Sequence, residues 1–287
     1  MAEVYPVPSS KTSGRSGPGI RGGAHGAGMT RYLRRVDTGG ESVWIPLLSF
    51  TLLSGFPEVM HAVSTRRGGV SRGPFSSFNL GDHVGDDPED VRNNLLRFRG
   101  AAGFSELFLV HQVHGDRVAV AERDGPCPDA DAVITREPGL GLLIRQADCA
   151  SVLLFDPETK AVANIHSGWR GLVRNIVGST VYAMKQVFGC RPEHLLAVQT
   201  PSLGPCCAEY KDHRHRFPSR WQRYMREAAH FDFWELIEHQ LMESGIREQR
   251  MASARICTRC RRELFYSYRA QPITGRFGAV IGLSHGL

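Results

Sequence analysis

The sequence predicts an α+β fold built on mixed β-sheet, and three features carry that prediction. Short β-rich apolar runs bounded by Gly, Pro, Asn and Asp recur along most of the chain, the pattern of strands separated by turns. Helical apolar spacing is confined to a few stretches, so strands cluster instead of alternating strictly with helices, which argues against a doubly wound sheet. One pair of runs, residues 151–155 and 161–165, flanks Asp156-Pro157-Glu158-Thr159-Lys160. Asp-Pro suits a type I turn between two antiparallel strands.

Taken in order, residues 1–28 are rich in Gly, Ser, Pro and Arg and cannot bury enough surface to offset ordering entropy. They lack the amphipathic pattern of a transit peptide, and Met29 is a second candidate initiator. The expected organisation is a disordered basic tail over residues 1–40 and a single domain over 41–287. Strands are expected over residues 47–53 and 59–65, the second ended by Arg66-Arg67-Gly68-Gly69. Asp87-Pro88-Glu89-Asp90 supplies helix-start chemistry ahead of Val91, Leu95, Leu96 and Phe98, predicting a helix over about 88–100.

Residues 107–113 and 118–121 are apolar runs around His114-Gly115-Asp116-Arg117, and 130–135 and 140–144 lead into the hairpin. From Leu172, apolar residues at helical spacing continue to Phe188 and stop at Gly189, predicting one amphipathic helix of about five turns. A strand over 195–199, a helix over 231–244 and a closing strand over 279–283 complete the chain. No repeat period is present.

Composition narrows the function classes. At 287 residues with 41% hydrophobic content the chain can bury a substantial core. Residues 1–36 hold six basic side chains against Glu3 alone, nearly all of the formal +6, so the body is close to neutral and gives little support for a nucleic-acid surface. Seven irregularly spaced cysteines argue against a secreted disulfide framework. No apolar run reaches the roughly 18 residues of a membrane span. A cytoplasmic protein with no membrane partner is the expectation.

Antiparallel pairing puts Cys149 and His166 at the same end of the sheet, since they flank the turn at similar distances. A third ligand would convert this thiol and imidazole into a metal site. His114, at a strand end before a glycine turn, is the best candidate, and His111 competes with it. One Cys and two His match zinc preference and leave a fourth position for water. Gly168-Trp169-Arg170-Gly171 joins the second strand to the long helix, so free helix amides and Arg170 favour an anion there. The plainer alternative is a tight turn with Trp169 filling the core. Cys206-Cys207 with Cys257-x-x-Cys260 can be drawn as a four-thiolate zinc site. Adjacent cysteines chelate one ion only with strain, so most are expected to be buried small hydrophobes.

Arg66-x-Gly68-Gly69-Val70-Ser71, Asn79-Leu80-Gly81, Gln112-Val113-His114-Gly115, Asp129-Ala130-Asp131, Ala147-Asp148-Cys149, His166-x-Gly168-Trp169-Arg170-Gly171, Gly204-Pro205-Cys206-Cys207 and Tyr268-Arg269 follow in order. Over about residues 45–287 this set resembles the YfiH/laccase-domain family. Its members are also described as multicopper polyphenol oxidase-like, purine nucleoside phosphorylase-like and peptidoglycan editing factor proteins.

The resemblance implies a four-layer α/β/β/α fold with mixed sheets and a zinc held by His114, Cys149 and His166, which selects His114 over His111. It implies phosphorolysis of adenosine, inosine and methylthioadenosine to base and ribose 1-phosphate, and deamination of adenosine. Gln146, Ser151 and Ser167 depart from the expected Thr, Pro and Ala, and none of these changes removes a ligand. Phosphorolysis needs cations near the phosphate. Arg66 and Arg170 are the candidates for that anion, with Asn79 and Gln112 as polar positioning groups and Asp148 beside the cysteine completing the catalytic set.

The implied partners are small molecules, a purine nucleoside and phosphate, and oligomeric state is left open. Three rivals stand beside this expectation. A cysteine hydrolase or amidase editing peptidoglycan precursors would use Cys149 as nucleophile and His166 as base. A copper phenol oxidase would place copper, the alternative cofactor, in the same pocket, although the several His-x-His pairs of a multicopper cluster are lacking. A binding protein would carry a structural zinc and dock an acidic partner through its basic tail.

Overall fold

The computed structural model describes residues 28–38 and 41–285, so the disorder expected of residues 1–28 lies, Gly28 apart, outside the described residues. The chain begins with β1 (Met29–Thr38) and β2 (Glu41–Phe50), antiparallel along their whole length with Met29 opposite Phe50. Residues 29–38, assigned above to the tail, are therefore a strand of the domain. Arg31, Arg34 and Arg35 stay in solvent while Tyr32, Leu33 and Val36 are half-buried, so an edge strand carries the composition of a tail.

After a one-turn helix, α1 (Thr51–Ser54), come β3 (Val59–Ser64) and α2 (Pro88–Ala102). The Asp87 side chain caps α2 by accepting the Glu89 N–H, and the helix stops at Gly103 in the left-handed conformation (φ 85°). β4 (Glu106–Phe108) and β5 (Val118–Val120) are shorter than their apolar runs. β6 (Ala132–Thr135), β7 (Leu140–Gln146), β8 (Ala150–Asp156) and β9 (Ala161–Ser167) follow, the last two forming the expected hairpin.

The long helix expected next is two helices, α3 (Trp169–Val173) and α4 (Ile176–Phe188). Asn175 adopts φ 60°, ψ 49° between them, and its side chain accepts the Gly178 N–H as a fresh N-cap. Asn tolerates this conformation, so apolar spacing continued across a break that one polar residue creates. β10 (Leu196–Gln199), α5 (His213–Arg216), α6 (Phe233–Glu243), β11 (Met251–Ser253) and β12 (Phe277–Leu283) complete the described chain. None of the described helices is long and apolar enough to cross a membrane.

The strands form two six-stranded sheets, ordered β1-β2-β3-β12-β7-β4 and β11-β10-β8-β9-β6-β5. The β4–β7, β5–β6 and β10–β11 pairs are parallel and the others antiparallel, so both sheets are mixed. Leu153, Phe155 and Val162 of one sheet meet Leu142, Ile144 and Ile281 of the other. The alternate residues face outward: Val152, Leu154 and Ile165 toward Val181 and Ile237 of α4 and α6, and Leu143 and Val280 toward Phe98 of α2. Coverage on both faces explains why β7, β8 and β9 are buried at every position. The result is four layers, α/β/β/α.

One buried histidine reports on this packing. His61 Nε2 accepts the Phe50 N–H at 2.8 Å, a bond that only the unprotonated nitrogen can accept, and burial lowers its pKa to about 4. A lowered folded pKa contributes stability that is complete above the ordinary 6.5 and is lost as pH falls through 4. Acidification from pH 6.5 to 4 is therefore expected to cost about 3 kcal/mol at this residue. His61→Gln, whose amide oxygen can accept the same bond, should flatten the fall of melting temperature with pH.

Candidate active site

The site forms where β8 starts and β9 ends. Ala150 pairs with Ser167 and Ser151 with His166, so Cys149 and His166 reach the same sheet edge. Gly168 permits the close approach: a Cβ there would lie 3.1 Å from His114 Cδ2 and 3.2 Å from Cys149 Sγ. The ligand atoms of His114, Cys149 and His166 all lie within 4.8 Å of one another, and the two imidazoles meet edge-on with centroids 4.8 Å apart. His111 is exposed, with its backbone bridged to Asp129.

Asp131, fully buried just before β6, holds the His166 imidazole and the backbone at His114 in place. Its Oδ1 accepts the His114 N–H at 2.9 Å and a hydrogen bond from His166 Nδ1 at 2.8 Å, and its Oδ2 accepts the Gly115 N–H at 2.5 Å. Consecutive amides can converge on one carboxylate because His114 is left-handed (φ 59°), a costly conformation that this local hydrogen bonding offsets. An ionised carboxylate only accepts, so Nδ1 of His166 carries the proton and Nε2 is the ring nitrogen left to act as a ligand.

Burial opposes charge on Cys149, yet the positive His166 and hydrogen bonds from both histidines outweigh it and bring the thiol down to about 6. Burial likewise opposes charge on His166, and the Cys149 thiolate and Asp131 raise the imidazole to about 9. One ionisable thiol and two imidazoles, one of them oriented by a buried carboxylate, fit a zinc-type ion. Asp131→Asn is expected to weaken metal binding about 10- to 100-fold. Competition with a chromogenic chelator measures this, and unchanged affinity would mean that Asp131 is only structural.

A cleft of about 550 Å³ opens over this group. Arg145, Arg170, Arg216, Arg269 and Arg276 line it and outnumber its carboxylates. Arg170 lies over the Trp169 ring at 4.7 Å and has no carboxylate partner among the described residues. Arg216 covers the same ring at 5.2 Å while paired to Asp212 at 2.5 Å. Because α3 is only five residues long, the anion preference here comes from these arginines and little from a helix dipole. Trp169 is half-buried and edge-on to Phe217, so it is wall more than core filling.

Two further candidates line the cleft with their side chains already engaged. Gln112 exchanges hydrogen bonds with the Arg145 backbone at 2.8 and 2.9 Å, and the Arg145 guanidinium pairs with Asp82 at 2.6 Å. Asp148 (φ 94°) accepts the Thr258 hydroxyl at 2.7 Å and the Arg269 N–H at 2.6 Å. Arg66 and Asn79 are not brought to the cleft. Arg66 donates to the Ser76 and Arg262 carbonyls and lies over the Tyr266 ring at 4.6 Å. Asn79 is fully buried and reaches the cleft only by accepting the Arg276 N–H at 2.7 Å.

Sequence reasoning missed Asp131, Arg145, Arg269, Arg276 and the cleft tyrosines Tyr210 and Tyr268 as site residues. Asp131 and Tyr268-Arg269 lay inside motifs already quoted, so a signal existed for them. Arg276 had none, since only the pairing of Phe277 with Gln146 brings it to the mouth of the cleft.

Fold and site together define a class: a four-layer α+β protein with a Cys/His group in an arginine-lined cleft. The family model described as multi-copper polyphenol oxidoreductase laccase matches residues 60–284, and the chain belongs to this family. A purine nucleoside phosphorylase of Bacteroides thetaiotaomicron is 34% identical over 244 residues, covering 78% of this chain and 90% of the relative. One of Deinococcus radiodurans is 36% identical over 236 residues, covering 78% and 89%. Among solved structures, YlmD of Geobacillus stearothermophilus superposes with a TM-score of 0.75 at 29% identity, covering 80% of this chain and 93% of that one. YfiH of Bacillus licheniformis gives 0.76 at 27%, covering 83% and 96%.

Proposed function

We propose that this protein is a zinc-dependent purine nucleoside enzyme. It cleaves adenosine and inosine with phosphate to base and ribose 1-phosphate, and methylthioadenosine to adenine and methylthioribose 1-phosphate, and it deaminates adenosine. The observation that carries the reading is the His114, Cys149 and His166 group in an arginine-lined cleft of about 550 Å³. That volume suits a nucleoside with a phosphate, and relatives named purine nucleoside phosphorylase support the substrate class.

In phosphorolysis a phosphate oxygen bonds to the ribose C1′ while the C1′–N bond breaks and its electron pair leaves with the purine. Arg170, without a carboxylate partner among the described residues, and Arg216 beside it hold the phosphate and offset its charge. Tyr210 offers a hydrogen bond to the substrate, since burial, with help from the Cys149 charge, pushes its phenol up to about 12 and keeps it protonated. The exposed Tyr268 ring gives the purine a flat apolar face. Gln112 and Asp148 hold the Arg145 and Arg269 backbones in place. His114, Cys149 and His166 would hold the zinc, which when bound lowers the pKa of a coordinated water to about 7.

Adenosine incubated with and without phosphate tests the proposal. Adenine formed only with phosphate is the expected phosphorolysis, and inosine formed in both is the expected deamination. Neither product would defeat the nucleoside reading. Arg170→Ala is expected to raise the KM for phosphate about tenfold, with a smaller change in kcat. An unchanged phosphate KM would remove Arg170 from the anion site.

A second reading has its own support. Cys149, His166 and Asp131 follow one another as nucleophile, base and orienting carboxylate, and the thiol sits at about 6. That order fits a cysteine hydrolase acting on amides. Covalent capture of an amide substrate at Cys149 in metal-free protein would favour it over the zinc enzyme.

A further inference from the structure

A second group of sulfurs stands apart from the His114, Cys149 and His166 site. Cys206 and Cys207, in the loop after β10, and Cys257 and Cys260, in the loop after β11, have all four Sγ atoms within 4.8 Å of one another. The expectation that most of these are buried hydrophobes does not hold: Cys207 and Cys257 are buried, but Cys206 and Cys260 are exposed. Parallel pairing of β10 with β11, Gln199 opposite Ser253, sends both loops off side by side, and Ser202 then bridges to Cys257.

The adjacency of Cys206 and Cys207 is accommodated by a turn. The Cys207 and Ala208 amides both donate to the Gly204 carbonyl, at 2.9 and 3.0 Å. Gly204 itself admits the second loop, because a Cβ there would lie 2.6 Å from Trp234 and 3.1 Å from Cys257 Cβ.

The separations are those of a shared ion. With a zinc–sulfur bond of about 2.3 Å, the edge of a tetrahedron of sulfurs is about 3.8 Å. Cys260 Sγ lies 3.6 Å from the sulfurs of both Cys206 and Cys207. Disulfides join sulfurs one to one, so two equal contacts to one sulfur suit a common centre better than a cystine.

We propose that Cys206, Cys207, Cys257 and Cys260 bind one zinc ion as four thiolates, forming a structural site separate from the cleft. Four zinc–sulfur bonds form, the four thiol protons pass to solvent, and no redox partner is required. Four protein ligands close the coordination sphere, so the ion has no open position for substrate. Its work is to staple two segments of the cleft wall. Thr258, next to Cys257, donates its hydroxyl to Asp148 at 2.7 Å. Cys207 leads to Glu209, whose carbonyl accepts from Arg269 at 2.6 Å.

The full-length chain carrying Cys149→Ala, expressed with zinc and purified under reductant, is expected to keep about one zinc per chain where the wild type holds about two. Cobalt(II) exchanged into that variant should give intense sulfur-to-cobalt charge-transfer absorption and tetrahedral ligand-field bands. Adding Cys257→Ser and Cys260→Ser should abolish both signals. If that triple variant does not fold, the cobalt spectrum of Cys149→Ala still decides, because it needs no change in the cluster. A Cys149→Ala protein that binds neither zinc nor cobalt overturns the proposal. So does a disulfide between any two of the four in non-reducing peptide maps. Nucleoside turnover is not a readout here, so this proposal and the functional one fail separately.

Discussion

Cys149→Ala is expected to empty the cleft group of metal and lower kcat/KM for adenosine about 10³-fold or more, equivalent to about 4 kcal/mol of transition-state stabilisation. The side chain is the group's single sulfur, and its charge accounts for much of the raised His166 pKa. Two imidazoles alone make a poor zinc site, because structural and catalytic zinc both call for at least three protein ligands. The fold should persist: Cys149 is half-buried and precedes the first residue of β8, so truncation leaves a small void at a strand end. Metal content, circular dichroism and steady-state kinetics on the same preparation check this. Near-normal activity in the variant, or full activity in wild-type protein that never held metal, would sink the zinc reading. Elemental analysis of the wild type also separates zinc from copper.

Asn164→Ala is expected to cost about 3–5 kcal/mol, a large part of the roughly 5–15 kcal/mol that holds a domain folded. Its fully buried carboxamide lies between the sheets, donating at 2.8 Å to both the Leu142 and Ala279 carbonyls of the facing sheet and accepting the Ser151 hydroxyl at 2.5 Å. Alanine withdraws a partner from all three groups at a depth where water does not replace it, and adds a cavity. Ser151→Ala removes one of those bonds and should cost about 1 kcal/mol. Urea unfolding should show a lower midpoint with an unchanged slope. A loss below about 1 kcal/mol for Asn164→Ala would mean that the sheets are held by apolar contact alone.

Legibility in the sequence followed the range of the interactions. The hairpin was readable because Asp156-Pro157 and the flanking runs form it locally, and the pairing of Ser151 with His166 follows from the turn. The start of α2 was readable for the same reason, since Asp87 caps the helix within its own first turn. The break at Asn175 was not, because the apolar spacing of both helices serves one core and continues across it. β1 was missed because its exposed arginines resemble tail composition, and only pairing with β2 orders them.

The sequence by itself determined the α+β class and the nearness of Cys149 to His166, both products of turn chemistry and alternation acting over some twenty residues. Choosing His114 over His111 already required the family resemblance. Tertiary structure alone decided the Asp131 carboxylate behind His166, the placement of Arg276 at the cleft and of Arg66 away from it, and the meeting of four cysteines. Those groups arrive on strands and loops far apart in the chain, and their contacts depend on sheet order and register, which no local periodicity encodes.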